Sequence, residues 1–407
     1  MKSHTSTSLQ PLIEYRSRPS GSTFVELKIE GQIASRLSII PFNIRVGAAT
    51  IRIDGIGGVA TEAEFRKRGY ARQVLLAAMD RMREGDAALS MLYGIRDFYP
   101  KFGYATAGPD HLIELLELDG APSLGRGWKV RPFEPGDLPS IQSLYEGAIR
   151  GATGAAVREK TGRVWTHLLQ SAEKAGKPDC RVLLDPSGTV AAYAWKGADF
   201  WYLGDLEKAE KRALVLSEVI ARDKPTAEAV LALCRKWGLE GARSGSERRV
   251  VLSAPPEGPV AAAARLQSAE LIKRYPPCGG SMARVLNVAR LVDALGPAFQ
   301  ERLAGAPADL RRPLSIVTDL GESPLPIITS EPKKTGKEQG EKAPKPKRGD
   351  EGILNLPQWQ LARLALGAFP PDDILDELEE PPTPEVRSQV RVLFPHCSPH
   401  MYVPDRF

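Results

Sequence analysis

The stretch Gly57-Gly-Val-Ala-Thr-Glu-Ala-Glu-Phe-Arg-Lys-Arg-Gly-Tyr-Ala-Arg72 decides how the rest of the chain is read. It joins the end of an apolar strand to a helix, and within it Arg66, Gly69 and Ala71 stand at the spacing R-x-x-G-x-A. The helix is marked by Ala71, Val74, Leu75, Ala78, Met79 and Met82, which recur at three and four positions before Gly85. Such a junction suits an anion. Amides of a first helical turn lack partners, the dipole is positive there, and a glycine lets the backbone approach a bulky pyrophosphate. Arg66, Lys67, Arg68 and Arg72 add mobile charge. A basic first turn with a packing glycine would use the same residues, so that alternative stands at this point. Gly55, Gly57 and Ala60 also satisfy the dinucleotide fingerprint G-x-G-x-x-A. That fingerprint needs a helix starting at the glycines, and here Thr61 to Phe65 intervene.

Working outward, Val25, Leu27 and Ile29 alternate with Glu26, Lys28 and Glu30, the pattern of a half-buried strand. Further strands are expected over Ile33 to Ile40 and Ala49 to Ile53, broken by Gly31 and Gly47, and another over Ala88 to Tyr93. Trp128-Lys-Val-Arg-Pro-Phe begins a second region, with Asp137 as a helix cap. A hairpin over Arg181 to Trp195, an apolar run from Ala213 to Ile220 and a helix over Thr226 to Trp237 follow. Pro276-Pro-Cys-Gly-Gly breaks the chain again, and a strand and a helix over Met282 to Leu295 open a third region. Near its end, Leu354 to Leu364 reads as a strand running into a helix, with Pro357 at the first turn and Gly367 past the last. The proline-rich tail from Leu393 to Phe407 should run extended over other structure.

Composition narrows the class. The chain has 407 residues, 42% hydrophobic and 26% charged, a globular balance that excludes a collagen, a coiled coil or a wholly disordered chain. The formal charge of +5 resides in one tract, Pro332 to Arg348, where seven Lys and Arg face two Glu. That tract has no aromatic to stack on a base, and a solvated insertion over 331–351 is expected rather than a nucleic-acid surface. Four scattered cysteines, no apolar leader and no membrane-length apolar run lead to a cytoplasmic expectation, with no membrane partner. His396, Cys397 and His400 form H-C-x-x-H, but no further Cys or His completes a tetrahedral set, so no metal is expected. The acidic run Asp372 to Glu380 is expected to be a solvated helix face, with an approach for polycations as the alternative.

A second motif, Tyr93-Gly-Ile-Arg-Asp-Phe-Tyr-Pro-Lys-Phe-Gly-Tyr104, follows the first helix. The two motifs, in this order and separation, resemble the Gcn5-related N-acetyltransferase (GNAT) superfamily. Over the whole chain the arrangement is similar to the Eis (enhanced intracellular survival) family, which also ends in phenylalanine, as here at Phe407. The resemblance implies an α/β (α+β) architecture of tandem GNAT-type mixed-sheet domains and a sterol-carrier-like α/β domain. The boundaries expected are 1–125 for the acetyltransferase domain, 126–281 for a degenerate second one, and 282–407 for the third.

The same resemblance implies acetyl-CoA as co-substrate and direct transfer to a primary amine of the aminoglycoside, polyamine or lysine-like kind, in a homo-oligomer that is typically a hexamer. It assigns Val59, Ala60 and Thr61 to the pantetheine arm. Lys67, Arg68, Gly69, Tyr70, Ala71 and Arg72 fall to the pyrophosphate, and Gly94 and Ile95 to a further cofactor contact. Tyr99 becomes the general acid, and the Phe407 carboxylate the general base. A terminal carboxylate is a poor base in water, and burial would improve it. The superfamily's two early helices, which wall the acceptor side, have no counterpart in the short polar stretch Met1 to Ser22. That departure motivates a second reading, a non-catalytic acyl-CoA or lipid-binding sensor.

Overall fold

The computed structural model describes residues 10–118, 124–172, 179–196, 213–240, 249–325 and 352–407; the expected insertion over 331–351 lies outside them. Strands β1 (Leu12–Ser17), β2 (Thr23–Ile29), β3 (Gln32–Val46) and β4 (Ala49–Thr61) form an antiparallel meander. β1 was invisible to pattern reading because Leu12 and Tyr15 are exposed, at 57% and 49%, and no alternation marks it. β3 and β4 outrun their expected limits. Pro41 is tolerated in β3 because β2 stops opposite Ile39, leaving unpaired edge beyond. Only a turn joins β1 to β2, closed by the Arg18 amide donating to the Ser22 carbonyl at 2.8 Å.

Helix α1 (Tyr70–Glu84) then buries Val74, Leu75, Ala78, Met79 and Met82 against that sheet, the stripe its periodicity demands. Downstream come β5 (Leu89–Gly94), β6 (Ala105–Gly108), β7 (Asp110–Leu115), β8 (Lys129–Pro132), α2 (Leu138–Ala148), β9 (Thr153–Val157) and α3 (Arg163–Ala172). Next are β10 (Cys180–Leu184), β11 (Val190–Trp195), β12 (Ala213–Leu216), β13 (Glu218–Ala221), α4 (Lys224–Leu239), β14 (Arg249–Ser253), α5 (Pro259–Ala264), β15 (Ala269–Arg274), β16 (Gly280–Val285) and α6 (Val288–Ala304). The described chain finishes with β17 (Leu314–Thr318), β18 (Gly321–Pro324), β19 (Gly352–Asn355), α7 (Gln358–Leu366), α8 (Pro371–Asp376) and α9 (Pro384–Leu393).

The architecture is mixed α/β, and its sheets do not follow chain order. The largest runs β1-β2-β3-β4-β5-β16-β6, with β9 on the β3 edge; β4 and β5 are parallel and its other pairs antiparallel. Thus β16 and β9 return to the first sheet, while β7 leaves it to pair with β14 and β15. The apolar run Ala213 to Ile220 likewise splits, β12 pairing with β14 and β13 with β11. One face of the large sheet carries α1. Its other face packs on α6 and the last region, through residues such as Ile51, Leu291, Phe299 and Leu361. Asp137 caps through its own turn rather than α2, accepting the Glu134 amide at 2.9 Å and an Arg131 fork at 2.6 and 2.7 Å.

Candidate active site

β4 and β5 pair only from Ile53 opposite Leu89 to Ile56 opposite Leu92, yet β4 continues to Thr61 and β5 to Gly94. The parallel pair therefore parts at its carboxyl end. A bulge helps: the β3–β4 register slips between Arg36 and Ser38, opposite Gly58, whose φ of 63° suits glycine. Val59, Ala60 and Thr61 lie on this parted end, and Ser35 donates to the Ala60 carbonyl at 3.0 Å. The fingerprint glycines Gly55 and Gly57 fall inside β4, not at a strand-to-helix turn, which removes the dinucleotide alternative.

α1 begins at Gly69, φ 80°, after Lys67 at φ 62°. No side chain caps its first turn and no acid stands in it. The first helical bond is Gln73 to Gly69 at 3.2 Å, so the Tyr70, Ala71 and Arg72 amides point out unpaired by the helix. Arg66 folds onto the Thr61 carbonyl at 3.2 Å. Arg68 and Arg72 lie 5.8 and 5.9 Å over the rings of Phe65 and Phe102. The residues present fit a pyrophosphate: free amides, a left-handed glycine that leaves open space, and surrounding guanidiniums.

Gly94 ends β5, and a Cβ there would meet the Tyr99 ring at 2.3 Å. Tyr99, held at 8% exposure in a short 3-10 turn, packs with α1 residues, while Ile95 is 52% exposed. Burial, and then the neighbouring Cys278, push the Tyr99 phenol above its ordinary pKa, so it stays protonated at neutral pH. Tyr104 hydrogen-bonds Ser90 at 2.7 Å deep in the same core.

Phe407 sits on the opposite face. Its ring fills the space a side chain at Gly55 would need, 2.6 Å from that Cβ position, and packs edge-on against Phe42 and Tyr93 at 5.2 and 5.8 Å. Its carboxyl carbon lies 3.2 Å from the Cβ position of Gly57. Tyr99 and the terminal carboxylate thus flank the parted strands from the two faces of the sheet. The tail runs without regular structure to Tyr402, the Cys397 amide donating to the Gly367 carbonyl and the His400 amide to the Thr153 carbonyl, at 2.8 and 2.9 Å, and a 3-10 turn over Val403–Asp405 then delivers Phe407.

Buried ion pairs then anchor it. Arg158 grips Asp405 at 2.8 Å and Glu218 on its other edge, while Arg406 meets Asp110 at 2.9 Å. Sequence reading missed Arg158, Glu218 and Asp110, because charged residues in a strand or loop carry no motif; only tertiary contact joins them to the tail. His400 and Cys397 belong to this strap: the His400 ring lies tilted against His111 and edge-on to Tyr402, and the Cys397 thiol donates to the Leu366 carbonyl at 3.5 Å. Part of the acidic run is paired, Asp372 with Arg387 and Arg391 at 3.0 and 2.9 Å, Asp376 with Arg387 at 2.7 Å and Glu377 with Arg363 at 2.7 Å.

Residues 10–107 match the acetyltransferase (GNAT) domain family, a stretch that contains every candidate residue except Phe407. The first part of the chain is therefore a GNAT acetyltransferase domain, of the N-acetyltransferase class. In fold, the chain is similar to a GCN5-related N-acetyltransferase from Anabaena variabilis, at 18% identity and a TM-score of 0.67, covering 94% of this chain and 89% of that one. Another, from Kribbella flavida, gives 18% and 0.62 with 94% and 87% covered. Eis1 from Mycobacterium abscessus gives 14% and 0.59 with 94% and 90% covered. No curated protein matches. Among the described residues no helix is long and apolar enough to cross a membrane.

Proposed function

We propose that this protein is an Eis-type enzyme moving an acetyl group from acetyl-CoA to a primary amine in one direct step. The observation that carries the reading is the seat of the terminal carboxyl beside Gly57, across the parted strands from Tyr99. Acetyl-CoA supplies the acetyl thioester. The parted end of β4 at Val59, Ala60 and Thr61 would take its arm, with Gly94 and Ile95 opposite; Lys67 to Arg72 would take its pyrophosphate. The Phe407 carboxylate accepts the proton of the attacking amine, the new C–N bond replaces the C–S bond, and Tyr99 returns a proton to the departing thiolate. A phenol held above its ordinary pKa remains a donor throughout the neutral range.

The wider reading divides the chain at 125/126 and 281/282 into the acetyltransferase domain, a degenerate second one and a sterol-carrier-like third, in a cytoplasmic homo-oligomer that the resemblance makes a hexamer. Thiol release measured across acetyl-CoA and amine concentrations tests the chemistry. Intersecting initial-rate lines, and a steep loss in Tyr99→Phe, are expected. Parallel lines, which signal a covalent acetyl-enzyme, would overturn direct transfer.

A further inference from the structure

On the β3 edge, β2 stops opposite Ile39 and β9 starts opposite Asn43, so the intervening edge is paired to neither. A cavity of about 310 Å³ opens in that gap, between the Arg18–Ser22 turn and the segment from Arg158 into the first turn of α3. It is walled by Ile40 and Phe42, and these same side chains touch the catalytic end of the chain. The Ile40 methyl and the Phe407 carboxyl carbon both lie 3.2 Å from the Cβ position of Gly57, and the Phe42 ring packs on Phe407. The short β1–β2 turn stands here where the superfamily's acceptor-wall helices are expected, so the cavity adjoins the side from which an amine would reach the base.

Its charge is lopsided. Four guanidiniums line it, from Arg18, Arg52, Arg158 and Arg163, against the carboxylates of Glu159 and Asp405. Arg158 is consumed by Asp405 and Glu218. Arg52 has Asp86 at 3.5 Å. Arg18 stacks on the Phe24 ring at 3.8 Å, and Arg163 reaches the Arg406 carbonyl at 3.5 Å; neither has a carboxylate partner among the described residues. Glu159, exposed at the rim, is the one acid of the lining outside an ion pair among those residues. A second ammonium on an acceptor would meet these guanidiniums, whereas a carboxylate or phosphate would be forked by them.

Resting on the transferase reading, we propose that the acceptor is a small primary amine carrying an anionic group. The acid end is held by Arg18 and Arg163 and the amine end turned toward the Phe407 carboxylate. The volume is at the small end for ligand sites, room for roughly ten waters at ~30 Å³ each, which excludes a many-ringed polycation from lying wholly inside.

Three amines of one chain length test it: 4-aminobutyrate, its amide and putrescine, beside ethanolamine and O-phosphoethanolamine to separate carboxylate from phosphate. Thiol release should favour an anionic member over its neutral or cationic counterpart by about 10- to 100-fold in kcat/KM, the worth of a charged hydrogen bond. Arg18→Gln/Arg163→Gln should collapse that ratio while leaving KM for acetyl-CoA in place. Putrescine as the best acceptor, or a preference that survives the double variant, overturns the proposal. Calorimetric titration of the same amines into protein saturated with CoA reads the pocket without turnover. Tight 4-aminobutyrate or phosphoethanolamine binding with no thiol release sinks the transferase reading and keeps the anion pocket; binding of putrescine alone, or of none, sinks the pocket.

Discussion

α1 and α4 both begin just after a strand and turn, and they treat their first amides in opposite ways. α1 starts at a glycine with no side-chain cap and no acid, inside a basic cluster. α4 starts at Asp223, whose carboxylate takes the Thr226 amide at 2.9 Å and its hydroxyl at 2.6 Å, while Pro225 stands in the first turn without an amide to offer. Those hydrogen bonds, the hydroxyl's first, hold the Asp223 pKa below the ordinary range, so it is ionised at neutral pH. At α4 a phosphate would have to displace a charged carboxylate. At α1 no described side chain caps the turn. One helix end is closed by its own side-chain cap and the other has none, which is the contrast that the proposed cofactor site predicts.

The largest expected effect lies across the sheet from the open end of α1, at the last residue. Deleting Phe407 withdraws both the ring from Gly55 and the carboxylate from Gly57; kcat should fall about 10²- to 10⁴-fold, the range of a positioned proton acceptor, with acetyl-CoA affinity little changed. Thiol release and calorimetry check both halves, and unchanged kcat would remove the terminus from the chemistry.

Gly69→Asp then places a carboxylate beside the first turn of α1, as Asp223 stands beside that of α4. It should raise KM for acetyl-CoA by about tenfold, roughly the ~1.4 kcal/mol of one lost charged contact. Gly69→Asn, of similar shape but neutral, should do much less, which separates charge from the strain of a left-handed backbone. The mirror variant, Asp223→Ala, should cost about 1 kcal/mol of stability, read as a shifted denaturation midpoint, and leave KM alone. Equal effects of Gly69→Asp and Asp223→Ala on KM would break the comparison.

A weaker effect reports on the strap. Burial, followed by Lys273, lowers the His111 pKa from 6.5 to about 4, and burial holds His400 well below its ordinary value too. The unfolded chain binds these protons first, so stability should be lost as pH falls from about 6.5 toward 4. Asp54, raised to about 6 chiefly by burial, opposes this slope between 3.8 and 6. Urea midpoints against pH for the wild type and His111→Phe check the sign: the variant should be flatter.

The smallest effect is expected from replacing 331–350 by a short Gly-Ser link. Leu314 pairs Gly352 while its neighbour Ser315 pairs Pro324, so a short link spans the gap, and kcat should not change.

Much of the first domain was legible because its signals are local. A 3.6-residue stripe reports α1, a glycine-centred basic turn marks where it starts, and Gly367, with φ 66°, closes α7 as its position predicts. β1 escaped because an exposed edge strand needs no alternation. β12 and β13 read as one run because only Ser217 separates two short apolar strands, and nothing in a continuous apolar segment marks the change of sheet.

What the sequence alone determined is the set of groups available: R-x-x-G-x-A opening a helix, the tyrosine after the strand Ala88 to Tyr93, and the Phe407 carboxylate at the end of a proline-rich tail. Only the tertiary structure decided where that carboxylate goes. Its seat depends on contacts between residues hundreds of positions apart, Gly55 and Gly57 making room, Arg158 and Asp110 pulling on Asp405 and Arg406. Local periodicity carries no information about pairs so distant, since a buried ion pair or a glycine vacated for a remote ring exists only once both segments have packed.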